Sequence, residues 1–433
     1  MLKYLSFVAK NISKNAVTIA DVFLIYTILA PIILNMIGSI VNLQENQIRT
    51  FFILLGPGLI SLILYVKNFG LDFVKENRSM IIVVSCLTII IFASSIKNWN
   101  FEYSRESFKF FLAYCLFGFN LGVVSKISIG RAWNFFSIWF IFILGFLLIC
   151  FLTFQFLEIK KSDFRLPGDN SARTAALFYF FSFCILIKTT LSIKVTAKLL
   201  YGAIFILCVY IGIISMSRSA MVLYFFLLLI FILFQIIQNR SKFNIISLVS
   251  IPIAVSVIFF TAWFGFADKK FKTTILSIVS LPKQTIAYVF EDSQTAYGKV
   301  NRFPTWRDAI SKFMDNPIFG IGYGSEYYND AGNYIRRHPH SILLQFLAET
   351  GVIGLGTFLI FIGMVFRKAV LNYRKLQNSS DKLIYLLYPM SFVFFLLFSF
   401  FHFAIHENYF FWYFAGMIAG FDAENSGVSQ TAV

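Results

Sequence analysis

Charged residues are scarce in this sequence: Asp, Glu, Lys and Arg make up 13% of the 433 residues, while 58% are hydrophobic. Soluble domains average about 25% charged and about 45–50% apolar residues. A chain of this length could hide so much apolar surface only in lipid, so the composition excludes an ordinary soluble protein. Lys and Arg outnumber Asp and Glu by 37 to 21, but they stand in small groups between apolar runs. This distribution does not favour nucleic-acid binding and predicts a membrane protein.

Cysteine and histidine are also rare. The five cysteines lie inside apolar runs, without the spacing of a secreted disulfide framework. HExxH and CxxC motifs and acidic metal-binding clusters are absent, and the sequence has only four histidines. A metal-independent reaction therefore fits better than zinc or magnesium chemistry, and no cofactor is expected.

Long apolar runs occupy most of the remaining chain. A spanning helix needs about 20 such residues, and by this rule we predict about twelve spans in an all-α, polytopic membrane protein. The predicted spans are Thr18–Val41, Thr50–Val66, Met80–Ile96, Phe110–Val124, Trp133–Leu157, Thr174–Ile193, Leu199–Met216, Ala220–Gln238, Phe243–Phe266, Ile342–Phe366, Leu383–Phe401 and Ala404–Phe421. Because His402, His406 and Glu407 interrupt the last pair, this stretch is either a helical hairpin or one broken helix.

The distribution of charge predicts the orientation. If the N-terminus is cytoplasmic, most Lys and Arg residues fall in inner segments, whereas acids nearly balance them in the short outer loops. We therefore expect both termini in the cytoplasm. The predicted division is nine spans in residues 1–266, an outer loop in 267–340, three spans in 341–421 and a cytoplasmic tail in 422–433. A carrier built from two equivalent halves should have a central connection between its sixth and seventh spans, but here that connection is only Lys194–Lys198 and no matching halves are visible, which argues against a carrier.

The outer loop is expected to contain an amphipathic helix. Trp306, Ile310 and Phe313 follow helical spacing, and Asn316-Pro317 then ends the run. We expect this helix to lie against the membrane surface. The following stretch, residues 320–324, is glycine-rich, but it lacks the strand–helix context of a nucleotide-binding motif and is interpreted as a turn.

Several arginines on the predicted outer side could bind an anion. Arg218 lies between two spans beside Ser217 and Ser219; it is either an interfacial anchor or a clamp for phosphate oxygens. Arg302, just before the amphipathic helix, is either a solvated loop charge or a functional residue. Arg337, with its neighbour Arg336, could simply hold anionic lipid head groups.

His340 is the sharpest candidate for catalysis. An imidazole at the outer membrane rim can accept a proton from a hydroxyl, which suits glycosyl or phosphoryl transfer. We expect it on the apolar face of the tenth span, where the alternative is a packed interfacial histidine. His338 is a weaker candidate because Pro339 separates it from the helix. Glu349 is an acid close to lipid that needs a partner, on the opposite helix face from His340.

Three blocks of sequence, in this order, resemble the O-antigen ligase and O-antigen polymerase superfamily of membrane glycosyltransferases. Ser341 stands where many members have Asn. The blocks are Ser215-Met216-Ser217-Arg218-Ser219-Ala220, then Arg302-Phe303-Pro304-Thr305-Trp306 with Asn316-Pro317-Ile318-Phe319-Gly320-Ile321-Gly322, then His338-Pro339-His340-Ser341-Ile342-Leu343-Leu344-Gln345 with Glu349-Thr350-Gly351.

The resemblance implies a fold of the membrane glycosyltransferase C type and an inverting, metal-independent reaction at the periplasmic face of the bacterial inner membrane. The donor would be an undecaprenyl-diphosphate-linked glycan, and a ligase would use a lipid A-core hydroxyl as acceptor. Arg218 and Arg302 would bind the diphosphate, and His340 would be the general base. His338, Arg337 and Glu349 are secondary candidates. A polymerase that joins two lipid-linked glycans, or a non-catalytic lipid or polysaccharide transporter, remains an alternative.

Overall fold

Helices make up most of the described chain, and this confirms the all-α, polytopic membrane protein class. Within the described residues, six helices are long and apolar enough to cross a membrane, and four shorter helices are also apolar. The total of about twelve spans includes segments outside these residues and stays a prediction. The structure is a computed structural model that describes residues 17–33, 47–156, 171–192, 194–215, 217–238, 303–328, 334–336, 338–400, 402, 405 and 408–423.

The chain divides into two compact units. The first contains Met1–Leu34, Leu43–Ile138 and Asn301–Val433, and the second contains Asn35–Asn42 and Trp139–Val300. The described helices, in chain order, are α1 (Val17–Ile33), α2 (Gln47–Phe69), α3 (Asp72–Glu76), α4 (Arg78–Lys97), α5 (Glu102–Phe110), α6 (Phe117–Val124), α7 (Ile129–Phe156), α8 (Ser171–Leu191), α9 (Val195–Ile214), α10 (Arg218–Gln238), α11 (Phe303–Asp315), α12 (Ile342–Lys375), α13 (Ser379–Ser399) and α14 (Tyr409–Ala419).

The fourth predicted span is longer than the sequence indicated. A π-helical stretch, Phe111–Leu116, joins α5 to α6, so the helix runs from Glu102 to Val124. Hydropathy missed its first turns because they carry polar residues, but Ser104 and Ser107 are buried inside the protein. Polar side chains at this end therefore pack against protein, and the helix can begin before the apolar run.

Close contact between α6 and α14 forms part of the first unit's core. Gly416 lies so near the α6 backbone that an added Cβ would be 2.1 Å from the carbonyl oxygen of Phe119. On the other side of the contact, a Cβ at Gly122 would be 2.7 Å from the carbonyl oxygen of Tyr413. Small residues at facing positions let two membrane helices approach backbone to backbone, as they do here.

The last two apolar segments form a helical hairpin, which resolves the alternative that the sequence left open. Phe392 of α13 stacks on Phe411 of α14 with ring centroids 4.9 Å apart, and Phe395 stacks on Phe410 at 4.6 Å. Because later residues of α13 meet earlier residues of α14, the two helices are antiparallel. Asn408 caps α14 through its side-chain oxygen, which accepts from the Phe411 N–H at 3.4 Å.

A buried ion pair links three elements of the first unit. Asp21 of α1 is fully buried and accepts hydrogen bonds from Arg131 of α7 and, at 2.6 Å, from the hydroxyl of Tyr65 in α2. The Arg131 guanidinium also lies 5.1 Å from the ring centroid of Phe69. Asp21 therefore acts in helix packing.

In the second unit, aromatic side chains join α7, α8 and α10. Trp139 meets Phe180 edge to face at 5.0 Å, and Tyr179 stacks on Tyr224 at 4.5 Å. Stacked and edge-to-face contacts of this kind stabilise the packing beyond what the burial of the rings contributes.

The amphipathic helix predicted before Asn316-Pro317 is confirmed as α11, which ends at Asp315. One side of α11 is buried at Thr305 and Ala309, whereas Ile310 and Met314 are 44% and 69% exposed. Its position against a membrane surface, and the division of the chain at residues 266/267 and 340/341, stay predictions.

Candidate functional site

His340 lies in a tight turn immediately before α12. Its backbone is left-handed, with φ of 53°, and Ser341 follows as the N-cap, its hydroxyl accepting from the Leu344 N–H at 3.5 Å. The expectation that His340 lies on the apolar face of a helix is therefore wrong. The cap residue has extended geometry, so the chain enters the helix only at Ile342. Asparagine could fill the same capping role as Ser341.

The ring of His340 and the backbone of its turn are held by different groups. Its Nδ1 lies 3.1 Å from the backbone carbonyl oxygen of His402, in the segment between α13 and α14. The backbone N–H of His340 donates to Nδ1 of His338 at 3.3 Å, and the two rings meet edge to face with centroids 4.2 Å apart. Trp306 of α11 fixes the turn from the other side, since its indole N–H donates to the carbonyl of Pro339 at 2.8 Å.

Glu349 is the polar centre of the region that follows His340. The residue is fully buried, and its carboxylate accepts from the Gly324 N–H at 2.9 Å and from the Tyr327 hydroxyl at 3.0 Å. The Gln345 side-chain amide donates to both carboxylate oxygens at 3.2 Å. These donors are the partners that a buried acid was expected to need.

Tyr327 connects this carboxylate to α11. Burial, together with the nearby charge of Glu349, raises the pKa of the Tyr327 phenol well above its ordinary value. The ammonium of Lys312 lies 4.6 Å from the Tyr327 ring centroid and pairs with Asp308 at 2.8 Å. Tyr327 also begins β1 (Tyr327–Tyr328), which pairs antiparallel with β2 (Tyr334–Arg336). The phenol therefore stays protonated and donates to Glu349.

The predicted turn at residues 320–324 is part of a longer irregular segment, residues 316–324, which enters a break in α12 and is called the glycine-rich turn below. At Gly351 the backbone leaves helical geometry, with φ of 66° and ψ of −166°. The carbonyls of Ala348 and Glu349 accept instead from the N–H groups of Ile321 at 2.9 Å and Gly322 at 3.1 Å.

On the other side of the break, the α12 N–H groups bond to the same turn. Val352 donates to the carbonyl of Pro317 at 2.9 Å, and Ile353 donates to that of Ile318 at 3.5 Å. The turn thus replaces hydrogen bonds that a continuous helix would make internally, so the broken backbone is satisfied within the protein.

Side chains from α4 and α5 clamp this turn, and sequence reasoning missed all of them. Ser94 donates to the Glu349 carbonyl at 2.6 Å, and the Lys97 ammonium donates to the Gly320 carbonyl at 2.8 Å. The Asn98 amide donates to the Ser325 hydroxyl at 2.8 Å, and Ser104 donates to the Tyr323 carbonyl at 2.7 Å. The only signal was a polar cluster at the end of the third predicted span, which identifies no partner.

Gln345 was also missed as a candidate. Its side-chain oxygen accepts from the Ile405 N–H at 2.9 Å, while its nitrogen donates to Glu349. A glutamine four residues before a glutamate, in an otherwise apolar run, was the available signal, since i and i+4 share a helix face.

Of the predicted arginines, Arg218 lies within the described residues. Helix α10 begins at Arg218, directly after the buried Ser217 and two residues before the predicted start of the eighth span at Ala220. Arg302 and Arg337 lie outside the described residues, as do His406 and Glu407. The anion-binding roles therefore stay predictions. Among the described residues, no group of three or more His, Cys, Asp or Glu side chains is arranged to hold a metal ion.

The geometry around His340 suits proton transfer. The His402 carbonyl contacts the imidazole, while the Ser341 cap and the Trp306 indole hold the backbone of its turn. An imidazole that is oriented before a substrate arrives favours general acid–base catalysis. Glu349, which accepts hydrogen bonds from Gly324, Tyr327 and Gln345, instead holds the glycine-rich turn in place. The structure thus brings His338 and His340 together and assigns Glu349 to the support of the neighbouring turn.

Comparison with known proteins gives one family. Residues 203–359 match the family model described as O-antigen ligase. The match includes α10, α11, the glycine-rich turn, His340 and Glu349, and it supports the resemblance to the O-antigen ligase superfamily found in the sequence. No curated protein matches the chain. The residues of α4, α5 and the segment between α13 and α14 that contact the site lie outside the matched range.

Proposed function

Since the match over residues 203–359 supports membership of the O-antigen ligase-like superfamily, we propose that this protein is an O-antigen ligase. It transfers a glycan from undecaprenyl diphosphate to a hydroxyl of lipid A-core at the periplasmic face of the inner membrane. The family, whose members are glycosyltransferase-like, covers ligases and polymerases alike. The observation that carries the proposal is the fixed imidazole of His340 at the start of α12, inside the matched range.

In the proposed reaction, His340 takes the proton of the acceptor hydroxyl. The acceptor oxygen attacks the anomeric carbon of the donor sugar, a glycosidic bond forms with inversion, and the bond from that carbon to the diphosphate oxygen breaks. Undecaprenyl diphosphate leaves with the electron pair. Arg218 and Arg302 are proposed to bind this diphosphate, because paired guanidinium donors stabilise negative charge as it develops, without a metal.

A complementation experiment in two hosts tests the proposal. One host lacks its O-antigen ligase and the other lacks its polymerase, and each expresses the matching glycan pathway. Wild type and His340→Asn are compared by lipopolysaccharide banding on gels, with immunoblots for equal abundance in the membrane. Asparagine is chosen because it tolerates the left-handed backbone of His340 better than most residues and has no basic nitrogen.

The expected result is a core-linked ladder in the ligase-deficient host alone, lost with His340→Asn. Ladder restoration only in the polymerase-deficient host would assign the polymerase reaction instead. Activity that survives His340→Asn would overturn the catalytic role of His340.

A further inference from the structure

The contact between His340 and His402 fixes where the imidazole carries its proton. Nδ1 of His340 lies 3.1 Å from the backbone carbonyl oxygen of His402. A carbonyl oxygen can only accept a hydrogen bond, so Nδ1 must be the donor in this contact. A neutral imidazole carries one N–H, and its other nitrogen, here Nε2, then holds the basic lone pair.

We propose that the His402 carbonyl holds His340 as the Nδ1–H tautomer, and that Gln345 is the positioning residue that keeps this carbonyl in place. The catalytic consequence rests on the proposed function, but the tautomer itself does not. A hydrogen-bond acceptor that selects a histidine tautomer and ring orientation is common where the other ring nitrogen is functional. In this protein the acceptor is a backbone carbonyl.

The orientation of the Gln345 amide follows from its partners. The Glu349 carboxylate accepts from the amide nitrogen at 3.2 Å, and the Ile405 N–H donates to the amide oxygen at 2.9 Å. Gln345 is 1% exposed, so reversing the amide would leave both contacts unpaired in the interior. The side chain thus links α12 to the segment that carries His402.

Ile405 lies three residues after His402, in the same connection between α13 and α14. It is fully buried, and its carbonyl accepts from the Trp412 indole N–H at 3.4 Å and from the Cys115 thiol at 3.5 Å. The His402 ring packs on Phe398, with centroids 4.6 Å apart. Gln345 therefore supplies the link from the His402 segment to α12, the helix that His340 precedes.

His338 holds the backbone of His340 through a second hydrogen bond. Its Nδ1 accepts the backbone N–H of His340 at 3.3 Å, so this nitrogen carries no proton. The His340 main chain and ring are thus held by different partners. In the reaction, Nε2 of His340 takes the acceptor proton, and the resulting imidazolium still donates from Nδ1 to the His402 carbonyl. That bond is stronger once the donor is charged.

Nuclear magnetic resonance of the full chain, labelled with ¹³C,¹⁵N-histidine in lipid bilayers, tests the tautomer without any substrate. The sequence has only four histidines, and His340→Asn identifies the signal of interest. Spectra are recorded at about pH 8, above the ordinary titration range of histidine. We expect wild-type His340 to carry its proton on Nδ1. A proton on Nε2 would overturn the inference, whatever reaction the protein catalyses.

A matched pair of variants tests the positioning role. Gln345→Met keeps the length of the side chain but loses the acceptor for Ile405. Asn372→Leu is the control: Asn372 is another buried amide of α12, and it donates to the Ile418 carbonyl of α14 at 2.9 Å. We expect Gln345→Met to shift part of the His340 signal to the Nε2–H tautomer, and Asn372→Leu to leave it unchanged. Equal effects of the two variants, or none from Gln345→Met, would contradict the role.

Kinetics with the lipid-linked donor provide the second readout. Misplacing a general base by about 1 Å can cost about a hundredfold in rate, so Gln345→Met should lower kcat by about ten- to a hundredfold. Its KM for the donor should change by less than about twofold, because the lost interaction acts in the transition state. An unchanged kcat, or a loss confined to KM, would overturn the role. If wild type transfers no glycan, the proposed function fails, and the spectra still decide the tautomer.

Discussion

Three hydrogen-bond donors surround the Glu349 side chain in the protein interior. A backbone N–H, a phenol and a side-chain amide donate hydrogen bonds to its side-chain oxygens, so these buried polar groups satisfy one another. Glu349 and His340 are nine residues apart and were predicted on opposite helix faces. In the structure Gln345 links Glu349 to the segment between α13 and α14, which contacts the His340 ring. Helical spacing alone could not predict this link, because it depends on a distant part of the chain.

Replacing Glu349 tests this account at the residue scale. Glu349→Leu should lower the free energy of unfolding by about 2–4 kcal/mol, because Gly324 and Tyr327 lose their acceptor and each unsatisfied buried group costs about 1–3 kcal/mol. Glu349→Gln, which keeps one acceptor oxygen, should lose less. Unfolding in detergent can be followed with a thiol-reactive dye, since four of the five cysteines are buried.

Glu102→Leu is the control for this comparison. Glu102 is an exposed acid at the start of α5, so its replacement should change stability by less than about 0.5 kcal/mol. If Glu349→Leu were as stable as the wild type, the carboxylate would not be the centre that holds the glycine-rich turn.

At the scale of elements, the glycine-rich turn and α12 depend on each other. The helix breaks at Gly351, and the turn supplies donors and acceptors on both sides of the break. A side chain at Gly351 would meet backbone, because an added Cβ would lie 2.2 Å from the carbonyl oxygen of Ile318. The left-handed backbone there is also unfavourable for any residue with a Cβ.

Gly351→Ala should therefore destabilise the protein by more than about 2 kcal/mol, since the left-handed backbone alone costs about 1–2 kcal/mol and the contact with Ile318 adds to it. Gly363→Ala, later in α12, is the matched control. An added Cβ there meets nothing within 4 Å, so this change should be neutral or stabilising by up to about 1 kcal/mol. Thermal unfolding of both variants in the same detergent measures the difference. Equal stability of the two would show that the turn does not require Gly351.

The sequence predicted those elements that depend on patterns among a few neighbouring residues. The spacing of Trp306, Ile310 and Phe313, with Asn316-Pro317 after them, was enough for α11 and its end. The break in α12 was not visible, because Ile342–Phe366 is apolar enough, apart from Gln345 and Glu349, to predict one continuous span. The clamp on the turn could not be found from one sequence, since Ser94 and Glu349 are 255 positions apart. Capping and helical periodicity are properties of a few neighbouring residues, whereas such pairings depend on the fold.

At the scale of the whole molecule, orientation in the membrane decides which side α11 and His340 face. The predicted topology places α11 outside and the connection between α12 and α13 in the cytoplasm. Exposed positions are available in both segments: Asp315 ends α11, and Gln377 lies between α12 and α13. The exposed native thiol, Cys86, can be removed beforehand by Cys86→Ala.

In that background, Asp315→Cys should react with a membrane-impermeant maleimide in intact spheroplasts. Gln377→Cys should react only after the membrane is permeabilised, because the reagent cannot reach the cytoplasm. Mass-tag shifts on a gel report both reactions. The reverse pattern, or reaction of both thiols in intact spheroplasts, would refute the orientation derived from the charge distribution.

The hydrogen bond from Ser94 to the Glu349 carbonyl also determines when this region can form during biosynthesis. The partners are 255 residues apart, and at about 5–20 residues per second the ribosome needs about 10–50 s to make the second after the first. Throughout that interval the polar end of α4 is without the turn it will clamp. The nascent chain can thus complete the surroundings of His340 only after most of the protein has been translated.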